Sequence, residues 1–460
     1  MLDAEPISRK KTVCDVQSQI ITLLSLIPTM FFTRFWKKFL ALALVGLLAS
    51  WLISCGNTPD QATEAADSGP AEVEFWTMQL SPKFDDYFGQ LITDFEAENP
   101  DITVKWVDVP WADMETKILA AVSAGNAPDV VNLNPNFASQ LAAKGAWLTL
   151  DDKLSAEEQA VYLPKIWDAT KINGDSFGFP WYLTARVALY NTEIFEEAGI
   201  EAPPATFEEL ADVAKQIKDK TGKYAFFISF VPEDAADVLQ SFIQMGVPLV
   251  DDEGNAAFNT PEGKQVFQYW TDLYQNELLP REVLTQGHQQ AIQLYQSGET
   301  AILASGAEFL DTIATNAPDI AAATKSAPQI TGSTGKKNVA AMDLVIPKST
   351  DAEAAALKFA TYVTNDQNQL EFAKVANVLP STVAAMEDSY FTDVPADASP
   401  VEVARSVSAS QLDDAAVLIP AMEDVKELQK IVYDNLQAAM LGDKTVDEAV
   451  ADAADEWDNR

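Results

Sequence analysis

The apolar positions of this chain alternate between two periods. Val73 to Met78 (VEFWTM) is a short strand-like run, and Phe88, Leu91, Ile92 and Phe95 then fall at helical spacing. Asn99-Pro100 ends that helix, because a proline ring disfavours helical geometry in the residue before it. A second strand is predicted at Ile102 to Val107, which completes a strand–helix–strand unit of about 35 residues. The plan recurs. A helix from Trp111 to Ala124, closed by Gly125, precedes a strand at Asp129 to Leu133, and later strands are predicted at Ala188 to Tyr190, Ala225 to Phe230, Ala301 to Ala304 and Val339 to Ile346. Thr206-Phe-Glu-Glu has the form of a capping box for a helix through Lys218, with Thr206 accepting from the backbone and Glu209 reaching back. From Ala352 the chain is largely helical. The pattern predicts an α/β fold with a helical C-terminal part, too long for one sheet.

One apolar run breaks this rhythm. Phe39 to Ile53 follows Arg34, Lys37 and Lys38 and ends at Ser54-Cys55. A basic head, a short apolar body and a small residue at the cut are the parts of a secretory signal, and the run is short for a membrane span of about 20 residues. Residues 1–54 are therefore expected to be a signal region. A weaker apolar patch at Ile20 to Ile27 precedes Met30, the more ordinary start, which makes 1–29 a candidate gene-start artefact. Leu52-Ile53-Ser54-Cys55 looks like the lipobox of bacterial lipoproteins, which implies a lipid on Cys55; the alternative is a retained anchor helix. Residues 55–72, polar and small, are expected to be the lipidated cysteine and a flexible tether.

Charge narrows the partners. The 460 residues carry 31 Lys and Arg against 69 Asp and Glu, a net charge of −38. Without residues 1–54, 25 basic and 66 acidic side chains remain, a net charge of −41. Phosphate backbones and anionic lipid surfaces repel such a chain, so no nucleic-acid partner is expected. Cys14 lies before the cut, which leaves Cys55 alone and no disulfide.

Four groups of stretches together resemble the family 1 extracellular solute-binding proteins of ABC importers. They are Phe95-Glu-Ala-Glu-Asn-Pro-Asp-Ile-Thr-Val with Gly125-Asn-Ala-Pro-Asp-Val-Val; Phe179-Pro-Trp with Leu189-Tyr-Asn-Thr-Glu-Ile-Phe and Pro203-Pro-Ala-Thr-Phe; Phe258-Asn-Thr-Pro-Glu-Gly with Tyr295-Gln-Ser-Gly-Glu-Thr; and Ile346-Pro-Lys with Val378-Leu-Pro-Ser-Thr and Leu441-Gly-Asp-Lys-Thr-Val. The resemblance covers nearly all of residues 72–460. It implies a two-lobed periplasmic-binding fold of type II, like a maltose receptor, closing on its ligand about three crossings. By motif position these fall near 183–186, 325–327 and 376, giving a first lobe of 73–182 and 328–375 and a second of 187–324 and 377–460. It further implies a lipid-anchored, periplasmic or cell-surface monomer that passes a small neutral sugar or glycoside to the importer's permease subunits, with no cofactor.

Sugars offer apolar faces to aromatic rings and hydroxyls to fixed polar groups. The candidates at strand ends are Trp76, Trp181, Tyr182 and Phe230 for stacking, and Asn132, Asn134 and Asn136 for hydroxyls, each amide being both donor and acceptor. Asp129 is a further acceptor. Glu308, Phe309, Met342 and Asp343 stand where the family often has tryptophan or glycines, a departure that bears on maltose-like specificity. Arg186 on the first crossing reads as a salt-bridge residue. Catalysis finds little support: His288 has no partner histidine or cysteine, no Gly-x-Ser-x-Gly elbow is present, and no metal site is expected. Paired carboxylates keep a secreted glycan-degrading enzyme as the alternative.

Overall fold

The computed structural model describes residues 70–460 except Glu233, Ala235, Pro420 and Glu423, and of Asn136 the backbone alone. The signal region, Cys55 and nearly all of the tether lie outside the described residues. Strand β1 (Ala71–Met78) turns Val73 and Phe75 into one core and Trp76 and Met78 towards another on the opposite face. The helix Asp85–Glu98 buries Phe88, Leu91 and Phe95 and stops where the Asn99 side chain donates to the Phe95 carbonyl at 2.8 Å. Strand β2 (Ile102–Val109) returns parallel to β1. The helix Trp111–Ala124 ends on Gly125, whose φ of 69° is a left-handed turn that suits glycine. β3 (Val130–Leu133) pairs with β1 on its other side.

The remaining strands are β4 (Lys171–Ile172), β5 (Asp175–Ser176), β6 (Phe179–Ala185), β7 (Val187–Asn191), β8 (Ile302–Ser305), β9 (Thr324–Ala327), β10 (Lys337–Val345), β11 (Leu379–Pro380) and β12 (Ala415–Ala416). One sheet runs β11-β6-β10-β3-β1-β2, with β12 beside β10; a second, antiparallel sheet runs β8-β7-β9. The first sheet packs Phe75, Phe88, Trp181, Phe359 and Phe372 into its core, and the second packs Phe230, Phe242, Trp270, Tyr295 and Trp457. These two cores define two α/β lobes. No helix among the described residues is long and apolar enough to cross a membrane.

The chain steps between sheets at Arg186, the single residue between β6 and β7, and again within 328–336, between β9 and β10. The third crossing lies later than the expected Ala376. Leu379 pairs with Leu183 on the edge of β6, and Phe391 joins the first core, so residues 377–392 complete the first lobe. Ala404, in the helix Pro400–Ser410, belongs to the second core; β12 returns to β10, and the helix Val425–Leu441 packs in the second lobe. Two local expectations also change. Thr206 accepts from the Glu209 N–H at 3.2 Å, but Glu209 reaches one residue past the cap to the Ala205 N–H at 2.7 Å. Residues 225–230 are extended without forming a strand: Ala225 takes hydrogen bonds from Ala301 and Ile302, Phe230 donates to Val283, and the segment between stands away from β8.

Candidate functional site

In an open α/β sheet, ligands meet the carboxyl ends of the parallel strands, where backbone and loop groups converge. Here those ends are Met78-Gln79 after β1, Pro110-Trp111 after β2 and Asn134-Pro135 after β3. The loops are tied together. Asp108 accepts from Thr77 Oγ1 at 2.7 Å and from the Leu80 N–H at 2.8 Å, and Gln79 Oε1 accepts from the Trp111 N–H at 3.2 Å. On this fixed platform Trp111 is 46% exposed, the one exposed large aromatic among the described residues. The second lobe closes over the same end. Lys426 Nζ, from the helix Val425–Leu441, lies 2.6 and 2.5 Å from the two carboxylate oxygens of Glu115 and 4.9 Å from the Phe137 ring centre.

A second group surrounds the first crossing. Arg186 pairs with Asp237; burial pulls its pKa down, but Asp237, helped by Glu308 and Asp234, holds it above the usual value. Glu308 is raised by burial, against the lowering influence of its own backbone, Arg186 and Lys83. Lys83 follows β1 in the first lobe, and Glu308 follows β8 in the second. Glu308 folds back over Gly306, where an added Cβ would sit 2.0 Å from a carboxylate oxygen, so Gly306 makes room for that conformation. Tyr182 is raised by burial and then by Glu308. The His288 N–H donates to Asp234 at 2.8 Å, and its ring, 6.4 Å from Phe309, is lowered by burial and by Arg186. One base already paired, three carboxylates and a neutral-leaning imidazole suit hydroxyl groups better than an anion.

The expected site residues divide. Glu308 acts on Tyr182 near the crossing, Phe309 packs in the second lobe with its ring 6.4 Å from His288, and Asn134 lies at the end of β3, where its side chain caps the next helix by accepting from the Phe137 N–H at 2.9 Å. Of Asn136 the side chain lies outside the described residues. Trp181 is a correction: strand alternation turns it into the first core, fully buried, stacked 4.8 Å from Phe372, while the partly buried Tyr182 ring packs at the margin of that core, 5.2 Å from the same Phe372. Phe230 is buried against Trp270 and Tyr433. Trp76 is half-buried on the helix-covered face of β1, its indole N–H on Glu74 at 2.7 Å. Asp129 sits at the amino end of β3 and accepts from the Glu74 N–H and Thr350, a structural role. Met342 is buried in the smaller core of the first lobe. Asn132 and Asp343 lie beneath the surface on adjacent strands, Asn132 Nδ2 donating to the Asp343 carbonyl at 3.4 Å; one side-chain oxygen of each has no partner among the described residues, and burial raises Asp343 strongly.

Sequence reasoning missed Trp111, Asp237 and His288. Trp111 carries the signal that was applied to Trp76, an aromatic at a strand end; Asp237 has no local mark, because its pairing with Arg186 spans 51 positions. His288, the sole histidine, enters the sequence reading only through nucleophilic and metal chemistry, for which it has no partner histidine or cysteine. Among the described residues no group of three or more His, Cys, Asp and Glu is placed to hold a metal ion.

The family model described as "bacterial extracellular solute-binding protein" matches residues 81–370. Crystal structures of a candidate oligosaccharide periplasmic-binding protein from Synechococcus sp. MITs9220, one of them in complex with zinc, are 44% identical. They cover 84% of this chain and 98% of their own, with a TM-score of 0.79. A candidate binding protein of Brucella abortus is 24% identical over 85% of this chain and 93% of its own length. The arabinooligosaccharide-binding protein of Halalkalibacterium halodurans is 27% identical over 64% of this chain and 67% of its own.

Proposed function

The chain belongs to the bacterial extracellular solute-binding proteins, and from that premise we propose that it captures a neutral sugar or glycoside between its lobes and delivers it to an ABC importer. The observation that carries the sugar is Trp111, an exposed ring on a pinned loop at the carboxyl ends of β1–β3, opposite the second lobe. It offers a stacking face; Tyr182, Glu308 and Asn134 offer groups for hydroxyls, and Phe309 a further apolar wall. The arabinooligosaccharide named for the Halalkalibacterium halodurans relative favours the same class. An anion would meet Glu308, Asp234 and Asp237, with Arg186 already engaged. Thermal unfolding against a panel of neutral, carboxylated and phosphorylated sugars tests this: a ligand held only by the folded state raises its stability by about 2.7 kcal/mol at a hundred times Kd. Stabilisation by a neutral sugar, without its breakdown, supports a receptor; stabilisation by the charged sugars alone contradicts the neutral class.

The same proposal places the protein outside the cytoplasm as a monomer, held to the membrane through lipid on Cys55. The support is the basic and apolar run before Leu52-Ile53-Ser54-Cys55. Mass spectrometry of membrane-extracted protein is expected to find no peptide from residues 30–54, and intact peptides from that stretch would overturn the anchor.

A further inference from the structure

The second lobe contains an unfinished β ladder with a cavity beside it. β8 pairs with β7 through Leu303 and Ser305, which turns the backbone groups of Ile302 and Ala304 outward. There, just past the parallel bridge of Tyr224 with Thr300, the Ile302 N–H reaches the Ala225 carbonyl at 2.7 Å. In that register Phe227 N–H would next donate to the Ile302 carbonyl, Ala304 N–H to the Phe227 carbonyl, and Ser229 N–H to the Ala304 carbonyl. None of these bonds is made among the described residues. Phe227 and Ser229 are nonetheless buried residues, and their backbone edges and that of β8 line one cavity without bonding each other. A cavity of about 90 Å³ opens between the two edges, room for several groups at roughly 10–15 Å³ each. Its lining joins apolar Phe207, Leu210, Trp270 and Ile330 to Gln240, Gln244 and Gln329, with the Arg186–Asp237 pair and His288 also on it. Ala304, exposed within an otherwise buried strand, marks the entrance.

We propose that this slot receives the acetamido group of a 2-acetamido sugar; the inference rests on the sugar reading above and narrows it. A trans amide presents a donor and an acceptor on opposite edges, as a peptide unit does. It inserts where the Phe227–Ile302 bond is missing, its carbonyl accepting from the Phe227 N–H and its N–H donating to the Ile302 carbonyl. Its methyl group meets the apolar wall. A hydroxyl or a water satisfies the polar edges equally well but leaves that wall without a partner. A carboxylate would stand beside Asp237 with Arg186 already neutralised.

The test compares the neutral sugar that binds best in the panel with its 2-acetamido counterpart, for wild type and for Ala304→Val, by titration calorimetry. Wild type is expected to bind the acetamido sugar at least about tenfold more tightly, and the valine, filling the entrance, to bring that ratio towards one. Backbone hydrogen exchange gives a reading that needs no variant. The amides of Phe227, Ser229 and Ala304 are expected to gain protection with the acetamido sugar and not with its parent. Equal affinities and equal protection overturn the slot and leave the sugar reading standing. Binding of no sugar of either kind removes the sugar reading itself.

Discussion

Two tryptophans show how one residue type takes opposite roles. Trp181 lies among Phe75, Phe88 and Phe372, so Trp181→Ala is expected to cost about 3–5 kcal/mol of stability, through lost burial and a cavity. Trp111 is exposed, so Trp111→Ala is expected to move stability by no more than about 0.5 kcal/mol while weakening sugar binding by about 1–3 kcal/mol. Urea unfolding of both variants beside titration of the second separates the roles. Asp343 gives a pH signature. Its folded pKa is raised by burial, so the folded state holds the proton more tightly than the unfolded chain and loses stability as pH rises above the ordinary carboxyl range. Asp343→Asn, which has no proton to lose, is expected to gain most over wild type near pH 7 and least near pH 4, in urea unfolding at the two pH values. An advantage independent of pH would mean that Asp343 ionises freely. At this scale the sequence was least informative, because which side of β6 faces solvent depends on where the strand begins, and a one-residue shift exchanges Trp181 for Tyr182.

Elements were far more legible. Helix ends carry local chemistry, so Gly125, Asn99-Pro100 and Thr206 marked their boundaries correctly, and β1 to β3 follow from period alone. Thr206→Ala is expected to lower stability by about 1 kcal/mol, in thermal unfolding, through the lost cap. The misplaced elements depend on distant pairing. β11 is two residues long and owes its place to the free edge of β6, and residues 225–230 have a strand's composition but no completed partner in β8. The Lys426–Glu115 contact between lobes is likewise invisible in sequence, with 311 positions between its ends. Both side chains are partly exposed, which limits the pair to about 0.2–1 kcal/mol and lets it break when the lobes open. Lys426→Ala is therefore expected to increase the radius of the unliganded protein in small-angle scattering while leaving the liganded radius unchanged. Equal unliganded radii would show that the pair does not bias closure.

For the whole molecule, two main cores are built on two sheets, and the chain steps between them at Arg186, within 328–336 and again after residue 392. The family resemblance conveyed this architecture because its shared residues are mostly turns and caps, which set chain direction. It conveyed less about the ligand, whose contacts are scattered along the chain. A net charge of −38 keeps such a molecule soluble and disfavours anionic cargo. The central claim, capture of a neutral sugar at Trp111, is tested most directly by titration calorimetry of wild type and Trp111→Ala with neutral sugars and their phosphorylated counterparts. The account predicts one-to-one binding of a neutral sugar, weakened by about 1–3 kcal/mol, roughly five- to 150-fold, in the variant. Tighter binding of the phosphorylated form, or equal affinity of the two proteins for the neutral one, would contradict it.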